Sequence, residues 1–171
     1  MERSMENTTK LLRAWTIRTE RGMAKTLMDK ILAGKDLTNT HVLVARADMI
    51  FGMDHLRSAL YHAERAIEDG TNSSESLAME TLLYASAERQ LSTAIKKMSV
   101  SDQTEELVVA QLAGGPLEPD ETWRELDDTT DLTADRLLRF GVTKTELSTI
   151  GGRSPLDLVL ERVAAVDIMK K

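Results

Sequence analysis

The sequence has no cysteine, only three prolines, and two residues each of tryptophan, tyrosine and phenylalanine. The missing thiol excludes disulfides, thiolate nucleophiles and cysteine-ligated zinc, and it suits a reducing, cytoplasmic setting. No apolar run approaches the roughly 20 residues a bilayer-spanning helix needs. The opening MERSMENTTK also lacks the apolar stretch of a secretory signal. A soluble cytoplasmic protein with no membrane contact is therefore expected. Excess basic charge is missing too, because 22 Lys and Arg stand against 28 Asp and Glu, a net charge of -6. Whole-molecule attraction to phosphate is thereby excluded, and any RNA contact needs a local basic patch.

What is present fits one globular domain. The 171 residues are 42% hydrophobic and 29% charged, enough for one core without a metal or disulfide. The domain is expected to span 1–171, with 1–10 a candidate disordered segment. No repeat or long linker divides it.

Leu11 to Thr19 reads as a strand, with Leu12, Ala14 and Thr16 on one face and Arg13, Trp15 and Ile17 on the other. Ala24, Leu27, Met28 and Ile31 mark a helix over Arg21–Leu32, closing at Ala33-Gly34. His41 to Arg46 is a β-branched apolar strand. Asp54–Asp69 carries a one-sided stripe and stops at Gly70. Glu75–Met98 is helical with a phase change at Tyr84-Ala85-Ser86, which predicts two helices meeting at a joint.

Leu107–Leu112 predicts a third strand, ended by Gly114-Gly115-Pro116. Pro119–Leu126, opening with proline and acids, predicts a helix. Thr143 and Glu146 fit a capping box for a helix to Ile150, and Ser154-Pro155 starts the last helix, to about Met169. Three strands among several helices give an α+β fold, one domain with a small, mainly antiparallel sheet.

Catalytic and metal-binding patterns are absent. His55 and His62 lie two turns apart on one helix, about 10.5 Å, too far to share a metal, so structural or surface roles are expected for them and for His41. No nucleophile elbow occurs, and Gly114-Gly115 and Gly151-Gly152 fit no phosphate loop. The aspartates from Asp127 to Asp135 lack the glycine and terminal glutamate of a calcium loop. No enzyme and no cofactor is expected.

Two surfaces remain. Arg57, Arg65, Arg89, Lys96 and Lys97 fall on the long helices and could converge; the bland alternative is that they merely solvate those helices. The last helix is apolar nearly all round, with Leu156, Val159, Leu160 and Val163 on one strip and Leu158, Ala165, Ile168 and Met169 opposite. Such a helix is buried on several sides, by its own domain or by a partner.

Residues 48–98, DMIFGMDHLRSALYHAERAIEDGTNSSESLAMETLLYASAERQLSTAIKKM, carry a resemblance. Their IFG, HL, ALYHA, SL and LLYAS-x-ERQ elements in order, with LERVAAVDI at 160–168, resemble the PRPK-binding (TPRKB-like) family of KEOPS subunits. Together these pieces cover about a third of the chain. The resemblance implies a noncatalytic regulatory subunit of the complex that makes threonylcarbamoyladenosine in tRNA. It would bind and activate the kinase-like ATPase subunit (PRPK type) and help recruit tRNA by its 3′ CCA end.

On that implication Leu158, Val163 and Ile168 are expected to meet the kinase, and Arg89 with Arg57, Lys96 or Lys97 to meet tRNA. Tyr84 is the nearest stacking candidate, although core packing is its weightier role. The isolated chain is a candidate homodimer. A protein-binding scaffold or kinase regulator without RNA contact stays open as the alternative, and a small-molecule enzyme finds no support. Where the family has glycine, this chain has Ala87. Alanine takes a positive φ only at a cost, so a positive-φ joint is expected one residue away, or a gentler bend.

Overall fold

The structure, a computed structural model, describes residues 12–33, 40–114, 117–128 and 132–170. Residues 1–11, Gly34, Gly115, Pro116 and Asp131 of the expectations above lie outside them.

Among the described residues four antiparallel strands form one sheet: β1 (Arg13–Arg18), β2 (Thr40–Arg46), β3 (Glu106–Gly114) and β4 (Arg124–Glu125), in the order β2-β3-β1-β4. β3 pairs on both sides, bringing Ala110 opposite both Ala14 and Leu43. A register shift between His41 and Val42 marks a bulge in β2. The imperfect alternation of β1 has a cause: Ala14, Trp15 and Ile17 are all buried, because both faces of the sheet are covered.

On one face Trp15, Ile17, Val42, Leu107 and Val109 pack with Ala24 and Ile31 of α1 (Ala24–Ala33). On the other, Ala14, Leu43, Ala45, Val108 and Ala110 pack beneath the remaining helices. These are α2 (Met53–Asp69), α3 (Leu77–Ser86), α4 (Leu91–Met98), α5 (Ala134–Phe140), α6 (Lys144–Thr149) and α7 (Pro155–Met169). A 3-10 turn, Ala47–Met49, links β2 to α2. The α+β class with an antiparallel sheet is as the patterning predicts.

The expected helix over Pro119–Leu126 is instead a turn followed by β4. Thr122 N–H donates to Asp120 Oδ1 at 2.9 Å, so the acid caps a turn rather than opening a helix. Trp123 then packs 5.8 Å from Trp15, and Leu126 N–H donates to Ala14 O at 2.9 Å. Tertiary pairing overrides local propensity here. β4 is also the fourth strand, where the sequence pattern predicts three.

The joint is real, and its geometry corrects one expectation. α3 stops at Ser86, and Ala87 itself takes φ 60, the only non-glycine positive φ among the described residues. Alanine at this φ costs roughly 1–2 kcal/mol, which the surrounding contacts outweigh. The predicted capping box of α6 is present, with Thr143 and Glu146 each bonding the other's backbone N–H. Gly70 closes α2 at φ 73, and Ser154 caps α7 with Pro155 in its first turn.

Candidate partner-docking and RNA-contact surfaces

The residues singled out as RNA contacts differ in exposure and partners. Arg89 lies in the α3–α4 joint and Lys96 on α4; both are exposed, and among the described residues neither forms an ion pair. Arg57, on the first turns of α2, is half exposed and held by Asp54 at 3.0 Å and Asp128 at 3.3 Å.

Lys97 is committed inward. Its Nζ donates to Ser86 O at 2.6 Å and to Glu88 Oε1 at 3.3 Å, and it sits 3.9 Å over the Phe140 ring. It therefore satisfies a carbonyl at the end of α3 and braces the strained joint. Burial lowers its pKa, with Glu88 opposing. Tyr84 is fully buried and faces α7, so Tyr84 and Lys97 serve two different clusters.

On the other side of the same joint, His55 Nε2 lies 2.8 Å from Ala85 O, and Phe51 N–H donates to His55 Nδ1 at 2.9 Å. These partners assign a neutral ring with the proton on Nε2. Burial drives its pKa down to about 4. Its role is structural.

α7 rests mostly on its own domain. Leu158, Val159, Val163 and Val166 are buried in the main core, so Leu158 and Val163 have their apolar surface covered by this chain. Ile168 differs: 77% of it is exposed, with Met169 39% exposed beside it. On α2, Tyr61 and Arg65 are exposed and mutually packed, with the guanidinium 5.6 Å from the ring centroid.

A polar cluster anchors the end of α7. Asp167 accepts from the Tyr84 hydroxyl and pairs with His62 Nδ1 at 3.0 Å, while the His62 and Tyr84 rings stack at 5.5 Å. Burial pushes the Asp167 carboxyl up, but the Tyr84 and His62 hydrogen bonds outweigh it and hold it below its ordinary value. Burial, then Asp167, raises the Tyr84 hydroxyl. Lys170 and Glu80 complete the cluster. A cleft of about 430 Å³ opens there between Arg65, Asp69, Thr71, Asp167 and Lys170. Sequence reasoning missed Glu80, Asp167 and Lys170, because their partners lie up to 105 residues away along the chain.

A larger cleft, about 890 Å³, is lined by Thr16, Ile50, Val108, Arg46, Asp48 and Arg136, among others. Two of its three arginines are engaged: Arg46 pairs with Asp48 at 2.7 Å, and Arg136 donates to the carbonyls of Ala47, Asp48 and Ile50. Among the described residues no group of three or more His, Asp or Glu is placed to hold a metal ion.

No curated protein matches the chain. The family model described as kinase binding protein CGI-121 matches residues 22–149, from just before α1 through α6; β1 and α7 lie outside the matched span. With most of its length matched, the chain belongs to the CGI-121 family of kinase-binding proteins.

Proposed function

We propose that this protein is the noncatalytic regulatory subunit of a cytoplasmic KEOPS-type tRNA threonylcarbamoyladenosine-modification complex. In it the chain binds and activates a small kinase-like ATPase of the PRPK type and helps bring in tRNA by its 3′ CCA end. The observation that carries the kinase part is Ile168. Among the described residues it is the most exposed large apolar side chain, on a helix whose opposite face, Leu158, Val159, Val163 and Val166, is buried, in a chain of a kinase-binding family. Leu158 and Val163 support that face from beneath. Ile168→Asp is expected to abolish binding to the purified kinase-like subunit in calorimetry while leaving thermal unfolding unchanged. Undiminished affinity rejects the docking face.

For RNA, the exposed pair Arg89 and Lys96 is the better-supported set, with Arg57 released from its carboxylates as a third cation. Gel-shift titrations of the chain, alone and with the kinase-like subunit, against tRNA and tRNA lacking CCA test this part. Equal affinity for both RNAs rejects 3′-end recruitment. A kinase regulator without RNA contact is the second reading. The internal commitment of Tyr84 and Lys97 and the net charge of -6 favour it.

A further inference from the structure

The end of a helix ordinarily frays in its last turn. The last turn of α7 is tied down. Lys170 Nζ donates to Glu80 Oε2 at 2.6 Å, with 7% of the lysine side chain and none of the glutamate exposed. The other glutamate oxygen accepts from the backbone N–H groups of Ser73 and Ser74, both at 2.9 Å. Lys170 also lies 4.8 Å over the Tyr84 ring, and Asp167 is held by Tyr84 and His62.

Burying an ion pair adds little net stability, because lost hydration offsets the attraction. What such a pair supplies is one fixed geometry. Between the two anchored residues Asp167 and Lys170 stand Ile168 and Met169, both exposed. The isolated domain gains nothing from holding grease rigidly in water. A binding face does gain, since ordering done before the encounter is not charged against affinity.

We propose that Glu80 and Lys170 are positioning residues for the kinase-docking face, a claim that rests on the reading of Ile168 as a docking residue. Buried as they are, they make no contact with the partner. They set the pose of the α7 terminus from α3 and from the Ser73-Ser74 loop, so Ile168 and Met169 meet the kinase-like subunit preformed.

The test is a double-mutant cycle on the full chain, with Kd for the purified kinase-like subunit measured by calorimetry. Lys170→Met is expected to weaken binding at least tenfold. Combined with Ile168→Ala, it is expected to cost less than it costs alone, because only Met169 is then left to position. Lys170→Arg, which keeps the partner for Glu80, restores binding. If Lys170→Met fails to fold, E80Q/K170M replaces it: the amide still accepts from Ser73 and Ser74 and no charge is orphaned. Losses that simply add, or an unchanged Kd, overturn the proposal. Should Ile168→Asp bind normally, the docking reading itself fails. Should it abolish binding while Lys170→Met and E80Q/K170M stay silent, only the positioning role fails.

Discussion

The Nε2–H of His55 points at the carbonyl oxygen of Ala85, 2.8 Å away and 30 residues later, tying the start of α2 to the end of α3. The ring is fully buried, edge-on to Phe140, and its Nδ1 accepts from Phe51. The carbonyl of Ala85, two residues before the joint at Ala87, is thus satisfied by a neutral imidazole.

Acid should therefore loosen the domain in a definite window. With a folded pKa of about 4 against an ordinary 6.5, the contribution is complete above pH 6.5. It is lost as pH falls from 6.5 toward 4, where the unfolded chain binds a proton and the folded chain does not. By pH 4.5 the loss is about 2–3 kcal/mol. Urea unfolding of wild type and His55→Gln at pH 7 and pH 4.5 checks it: the variant is weaker at pH 7, and its own loss between the two pH values is smaller.

Glu64 works in the opposite direction. Burial, then Glu68, raises its carboxyl to about 7, and its Oε1 has no hydrogen-bond partner. The protonated form suits the fold, so its contribution is present below pH 4.5 and fades as pH rises through 7. The side chain is partly exposed, and water screening cuts the effect to about 1 kcal/mol. Glu64→Gln is expected to raise stability at pH 8 and change little at pH 5; equal effects at both contradict the assignment.

Ala87→Gly should stabilise. The left-handed φ of 60 penalises the alanine methyl, while glycine gives back part of the gain as unfolded-state entropy. The net gain is about 0.5–1 kcal/mol, read as a higher urea midpoint at unchanged slope. A loss instead means that the methyl packing of Ala87 outweighs its strain.

Lys97 and Arg89 separate bracing from contact. Lys97→Met removes a buried lysine's bond to Ser86 O and is expected to cost about 1–3 kcal/mol in chemical unfolding. If tRNA is bound, Lys97→Met leaves the salt slope of binding unchanged. Arg89→Ala instead lowers that slope by about one and leaves stability alone. The reverse pattern would make Lys97 the contact.

Much of this was legible beforehand where the signal is local. The α2 stripe with its Gly70 stop, the Thr143–Glu146 box and the Ser154-Pro155 start each involve residues within one or two turns of each other, and the structure places all three as expected. The Pro119–Leu126 segment misled because its acids and proline favour a helix start, while its fate was decided by Trp15 and Ala14, more than a hundred residues earlier.

The linear order of side chains by itself settled the α+β class, most helix ends, the absence of cysteine chemistry and the break near Ala87, since hydrophobic period and capping act over a few residues. Only the tertiary structure decided which cations are surface and which are struts, that Val163 is core while Ile168 is not, and that Lys170 closes on Glu80. Burial and ion pairing depend on which distant segments meet, and chain order alone does not encode that meeting in any local pattern.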